Sequence, residues 1–145
     1  MIICESSVGV DRTAEDVFGF LAEPSNTVQW VDVCIELKKV SEGPFGVGAE
    51  LLYTHKQGSK VTIMQGEVTA YEWPRRLAYR YIDAMFTVDI SFTIQPESAG
   101  VKLTHRAEIQ PKTLMMKLLS PLIRMATPRA MASDLQKLKL ILEKA

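Results

Sequence analysis

The chain has 145 residues, 47% of them hydrophobic and 23% charged, with 17 basic side chains against 17 acidic ones. A chain of this length buries roughly 68–70% of its unfolded surface, enough for one core without disulfide or metal staples, and a net charge of zero offers no field to hold nucleic acid. The two cysteines, Cys4 and Cys34, show neither CxxC nor zinc-ligand spacing, and no stretch approaches the ~20 apolar residues that span a bilayer.

Residues Ile2 to Val8 are β-compatible; the absence of early Lys or Arg, with Glu5 inside the apolar run, argues against a secretory signal, so a cytoplasmic location is expected. Thr13 is placed to cap a helix over Ala14 to Ala22, with Asp16 three residues on as in a capping box and Glu15 and Asp16 at the positive end of its dipole. Val17, Phe18 and Leu21, with Phe20 as a further candidate, form its buried stripe, and Glu23-Pro24-Ser25-Asn26 ends it. A second short helical turn carries the chain to Trp30.

From Val33 to Gln110 six strands fit, divided by turn signals at Gly43-Pro44, Gly46 to Gly48, Gln57-Gly58, Trp73-Pro74, Asp83-Ala84 and Ser98 to Gly100. The clearest runs from Phe86 to Gln95, where Phe86, Val88, Ile90, Phe92 and Ile94 alternate with polar residues, the mark of an antiparallel sheet wet on one side. The next strand places Val101, Leu103, His105, Ala107 and Ile109 on its dry face. After Pro111 a helical segment runs to the end, with breaks expected near Pro121 and Pro128. Met131, Leu135, Leu138 and Leu142 then give a long helix from about Arg129 to Glu143.

Strand, two short helices, six strands and a long helix make an α+β chain, read as a single domain over residues 1–145. The C-terminal helix is the one element long enough to cover the dry face of the sheet, which should therefore wrap around it. Such a grip encloses a ligand space unless large side chains fill it.

In this order, Val10 to Phe18 leading to Trp30, the loop Gly43-Pro44-Phe45-Gly46-Val47-Gly48, the run Glu67 to Tyr79, and Asp134 to Lys139 in the last helix resemble the polyketide cyclase/dehydrase branch of the START-like (SRPBCC, Bet v 1-like) superfamily. The resemblance covers essentially the whole chain. It implies a helix-grip fold: a curved seven-stranded antiparallel sheet wrapped around a long C-terminal helix, with two short helices after strand 1. It implies a container more than any one activity, because related folds serve lipid carriage, hormone binding, aromatic cyclisation and quinone binding.

His105 is the candidate catalytic residue, since an imidazole on a dry strand face can orient a ligand carbonyl or move a proton; the alternative is a core histidine satisfied by a neighbouring hydroxyl or carbonyl. His55 follows Leu51 and Tyr53 in alternation and faces either the interior or solvent at a hairpin tip. Tyr79 and Tyr81 share parity with Leu77; inward, they set phenols along an apolar wall, and otherwise they only pack there. The expected ligand-binding set is Tyr53, His55, Tyr79, Tyr81, Phe86, Val88, Ile90, Phe92, His105, Met115, Met131 and Leu135. Methionines after Pro111 can repack around ligands of different shape or serve as helix filler. Arg80 and Arg106 have the opposite parity and face solvent. The two histidines, 50 positions apart without HxxxH or HExxH, predict no metal. The glycine-rich loop lacks the Gly-Lys-Ser/Thr of a P-loop, no cofactor is expected, and the cysteines read as inert packing.

Three functions remain: binding or carriage of a hydrophobic lipid, polyketide or quinone-like molecule; a polyketide cyclase or dehydratase using His105, Tyr79 and Tyr81; or a membrane-surface or protein-interaction module, with a homodimer left open. The neutral total hides an asymmetry. Residues 1–111 carry 10 basic and 15 acidic groups, whereas residues 112–145 carry 7 and 2, which marks the C-terminal helix for ligand passage or peripheral membrane contact.

Overall fold

Period-two alternation makes two of the inner strands, each 11 residues long, and their register follows from it. In the computed structural model, which describes residues Met1–Ala145, the elements are β1 (Ile2–Val10), α1 (Ala14–Leu21), a 3-10 segment (Pro24–Gln29), β2 (Cys34–Lys39), β3 (Glu50–Gln57), β4 (Lys60–Glu72), β5 (Arg76–Ile82), β6 (Phe86–Pro96), β7 (Val101–Pro111), α2 (Leu114–Leu118) and α3 (Ser120–Lys144). The strands form one seven-stranded sheet in the order β1-β7-β6-β5-β4-β3-β2, and every neighbouring pair is antiparallel. Register shifts at Cys34/Glu36 and Val68/Ala70 bend β2 and β4, since a bulge adds twist on one strand. The helix-grip expectation is met.

Thr13 caps α1, its hydroxyl accepting from the Asp16 amide at 3.1 Å. The reciprocal half of the capping box does not form. Asp16 instead accepts from the Arg12 guanidinium at 3.0 Å, a partner that the capping-box pattern leaves out. The same guanidinium donates to the carbonyls of Leu142 and Ala145, and the Asp11 amide donates to the Glu143 carboxylate at 2.8 Å. Because the last carbonyls of a helix have no partner of their own, these contacts fasten the end of α3 to the β1–α1 corner.

The core fills one end of the grip. Leu135, Leu138 and Leu142 of α3 are buried with Val17, Phe18, Val68, Leu77, Leu103 and Ile94, so this end holds side chains and not an enclosed void. Met131 joins a smaller cluster with Ile2, Cys4, Ala107 and Ile109. At Gly66 a Cβ would lie 2.7 Å from the Tyr81 ring, closer than such contacts allow, so a bare backbone lets that ring cross β4.

The C-terminal helix corrects the sequence reading. Instead of starting near Arg129 it runs unbroken from Ser120 to Lys144 with Pro128 inside it. Pro121 occupies the first turn, where the missing amide would have had no partner. Pro128 removes one hydrogen bond at a cost of ~3 kcal/mol. Met131 after it is buried and Ile123 before it half-buried, both packed on the sheet, and full burial of such a side chain returns about 1.5–3 kcal/mol, so packing on both sides offsets the lost bond. Thr113 begins a further short helix, accepting from the Met116 amide at 3.1 Å.

Candidate functional site

Strand parity sends Tyr53 and His55 of β3, Tyr79 and Tyr81 of β5, Phe92 of β6 and His105 of β7 to the same face of the sheet, where they form a continuous run of rings. His55 stacks on Tyr53 with centroids 5.0 Å apart, Tyr53 meets Tyr81 at 5.0 Å, and Tyr81 stacks on Tyr79 at 6.0 Å. Tyr79 meets Phe92 edge-on at 6.3 Å, and Phe92 stacks on His105 at 4.6 Å. Trp30, at the end of the 3-10 segment, caps the run edge-on to Phe92 at 5.9 Å and to His105 at 6.1 Å. Offset and edge-on geometries of this kind suit the ring quadrupole.

Burial grades along this wall. Phe92, Ile94, Tyr79, Tyr81 and His105 are buried, whereas Tyr53, His55, Phe86, Val88 and Ile90 are half-buried. The half-buried residues lie toward the β5–β6 turn, and α3 lies closest to β1, so the wall on β3, β5 and β6 is incompletely covered at that end. Two concavities lie outside the grip. One, of about 500 Å³, is lined by residues 11–16 with Pro96, Gly100 and Val101. The other, of about 240 Å³, sits on the outer face of the sheet around Arg76, Arg80, Asp89 and Glu108.

Buried polar atoms normally find partners, and here several do not. The Tyr79 hydroxyl donates to the Leu21 carbonyl at 3.2 Å. Both ring nitrogens of His105, and Nε2 of His55, are buried without any partner. No neighbouring hydroxyl or carbonyl satisfies His105, contrary to the structural alternative drawn from sequence. Burial lowers the pKa of His105 to about 4, lowers that of His55 despite the opposing charge of Asp83, and raises those of Tyr53, Tyr79 and Tyr81. Burial pushes the Cys34 thiol up to about 11. At neutral pH these rings and this thiol are therefore uncharged.

The two neighbouring phenols should respond differently to loss of the hydroxyl. Tyr79→Phe should lose about 1 kcal/mol of stability in urea denaturation, the net worth of a hydrogen bond, whereas Tyr81→Phe, with no protein partner to lose, should stay within about 0.5 kcal/mol.

The remaining members of the predicted set divide. Leu135 is core, Met131 is buried against β1 and β7, and Met115 stands 67% exposed on α2, apart from the wall. Arg80 faces solvent as expected, paired with Asp89 at 2.8 Å; Arg106 is likewise on the outer face, 3.4 Å from Glu5. Cys4 and Cys34 are free and buried. No group of three or more His, Cys, Asp or Glu side chains is arranged to hold a metal ion, and no helix is long and apolar enough to cross a membrane. Sequence reasoning missed the Trp30 cap, the Gly66 clearance and Phe45, whose ring meets Tyr79 at 6.3 Å. Trp30 had a signal in its position just after the short helices. The Gly66 clearance depends on the register that sets it opposite Tyr81, and Phe45 lies in the loop between β2 and β3, far in sequence from Tyr79.

A curved antiparallel sheet closed on a long helix, with an aromatic wall on its inner side, defines a START-like helix-grip protein. The chain belongs to the polyketide cyclase/dehydrase and lipid transport family, whose model matches residues 1–143. No curated protein matches it in sequence. Among solved structures it is similar to TTHA0849 from Thermus thermophilus, with a TM-score of 0.81 at 12% identity over 97% of this chain and 96% of that one. It is also similar to the Zhui aromatase/cyclase from Streptomyces sp. R1128, with a TM-score of 0.78 at 13% identity over 98% and 93% of the two chains. One further likeness is to the di-domain aromatase/cyclase StfQ of the steffimycin biosynthetic pathway, TM-score 0.79 at 12% identity, covering 99% of this chain and 51% of that one. At such identities the likeness is one of fold.

Proposed function

We propose that residues 1–145 act as one binding domain that takes up a hydrophobic, oxygen-bearing small molecule, of lipid, polyketide or quinone-like character, against the aromatic wall. The observation that carries this reading is the pair of unpartnered nitrogens on His105 at the inner end of the ring run. An unmet buried polar group costs about 1–3 kcal/mol, and a ligand hydroxyl or carbonyl would recover it. Tyr53, His55, Phe86, Val88 and Ile90 form the accessible part of the wall, and Tyr81 offers a further hydroxyl beyond them.

The family description and the aromatase/cyclase neighbours support a second reading, cyclisation or dehydration of a polyketide chain, with His105, Tyr79 and Tyr81 as proton-handling groups. The electrostatics favour binding. A general base works best with a pKa near the operating pH, and His105, lowered to about 4 by burial with no carboxylate opposing it, is suited to hydrogen bonding as a neutral ring.

Native mass spectrometry of the purified protein, solvent extraction, and melting with fatty acids, quinones and polycyclic phenols test the proposal. A ligand present at a hundredfold its Kd should raise the melting temperature by roughly 10 °C. No extracted molecule and no shift across the panel would overturn it. Conversion of a linear poly-β-ketone, abolished by His105→Ala, would favour the enzymatic reading.

A further inference from the structure

Large apolar side chains that remain in water on a folded surface call for a partner. Leu114, Met115, Leu118, Leu119, Leu122 and Met125 all lie on α2 and the first turns of α3; five of them are between 60% and 74% exposed and Leu119 is 38% exposed. Their spacing is helical. Leu119 sits at the turn that joins α2 to α3, its amide bonded to the Met115 carbonyl and its own carbonyl accepting from Ile123, and the exposed residues recur at steps of three or four within each helix, Leu114, Met115 and Leu118 on α2 and Leu122 and Met125 on α3. The side held by the fold carries Met116 and Ile123, both half-buried, with Ile123 packed on the sheet.

Charge decides what covers this face. Residues 112–133 contain Lys112, Lys117, Arg124 and Arg129 and no acidic residue. Lys117 on α2 and Arg124 on α3 lie among these apolar residues, Arg129 follows them, and Lys112 precedes the Thr113 cap of α2, outside the helix. None of the four belongs to an ion pair, whereas Lys137 and Lys139 further along α3 are paired with Asp32 and Glu143. Exposed apolar side chains interspersed with unpaired cations match the interface of an anionic bilayer, where the side chains enter the acyl boundary and the cations meet headgroup phosphates.

The position also matters. The Lys112 amide donates to the Met85 carbonyl at 2.8 Å and its Nζ to the Asp83 carbonyl at 2.7 Å, which fixes α2 beside the β5–β6 turn, the end at which Phe86, Val88 and Ile90 are half-buried. We infer that α2 and the N-terminal turns of α3 form a docking surface for anionic membranes, seating the protein with the open end of the grip near the lipid. The surface stands on its own exposure and charge, independently of what the grip binds.

Co-sedimentation with vesicles tests it. The protein should pellet with phosphatidylcholine vesicles containing about one third phosphatidylserine, much less with phosphatidylcholine alone, and less again at about 0.5 M salt. Leu118→Asp combined with Leu122→Asp should weaken binding at least tenfold while circular dichroism and melting stay as in the wild type, because both side chains are exposed. Lys117→Glu with Arg124→Glu, which leaves every apolar contact in place, should weaken binding to anionic vesicles at least fivefold. Three results would overturn the inference: no pelleting with anionic vesicles, unchanged binding by both double variants, or a stable dimer in sedimentation velocity that Leu118→Asp with Leu122→Asp dissociates, since a second copy would then be what covers the face.

Discussion

Taking the protein from pH 7 to pH 4 should remove about 3 kcal/mol of folding stability through His105 alone. Its ring is enclosed by Phe92 and Trp30 with no acceptor or donor at either nitrogen, and burial lowers its pKa to about 4, against about 6.5 in an unfolded chain. Above pH 6.5 the ring is neutral in both states and its contribution is complete. As the pH falls from 6.5 toward 4 the unfolded chain takes up the proton first, so stability is lost across that window and levels off below it. His55 is shifted in the same direction and adds to the slope. Carboxylates also titrate in acid, so the variant His105→Leu isolates the histidine. At pH 7 it should be about 1–2 kcal/mol more stable than the wild type, since an unmet polar group is replaced by an apolar one, and its loss on acidification should be correspondingly smaller. Urea denaturation at pH 7, 5.5 and 4 measures both. Parallel losses in wild type and variant would mean that the ring is not held buried and neutral.

Leu138→Ala should cost about 2–5 kcal/mol. Leu138 is fully buried in the middle of the α3 stripe, between Leu135 and Leu142, at the filled end of the grip, where neighbours from the sheet and from α1 are already close-packed and cannot collapse into the space. The loss combines the transfer free energy of the removed methyl groups with a cavity term. Leu140, two residues on, is 54% exposed, and Leu140→Ala should change stability by no more than about 0.5 kcal/mol. Equal effects of the two substitutions in denaturant would contradict the placement of the helix.

How far the sequence led depends on the range of the forces involved. The alternation of Phe86 to Gln95 and of Val101 to Ile109 is a local property set by side-chain direction along a strand. It placed His105 on the dry face, and Tyr79 and Tyr81 followed by parity with Leu77. Element order then required the last helix to cover the sheet. The start of α3 was misread because the proline rule describes one turn of backbone, while Ile123 and Met131 gain their burial from β1 and β7 more than 100 residues away in some cases. Asp16 turned to Arg12 and not to its own helix end for a similar reason, since Arg12 is itself held in place by the carbonyls of Leu142 and Ala145. Trp30 over His105 is a meeting of distant segments, and the clearance at Gly66 depends on the β4–β5 register that sets it opposite Tyr81, neither of which a local pattern encodes. The division between a filled end and an open end of the grip likewise depends on how far α3 leans toward β1, which follows from packing. Exposure of Met115 has the same origin: a methionine-rich helical segment reads alike whether its face meets the sheet or the solvent.

In the proposed function the aromatic wall accepts an oxygen-bearing hydrophobic molecule and His105 supplies a polar contact to it. Equilibrium binding of 2-naphthol, followed by its fluorescence, to the wild type and to His105→Leu at pH 7 tests this most directly. Saturable binding to the wild type, weakened at least tenfold in a variant that is itself more stable, is the predicted result. Equal affinity in the two proteins, or no saturable binding to either, would contradict the claim and leave His105 as a residue of the core.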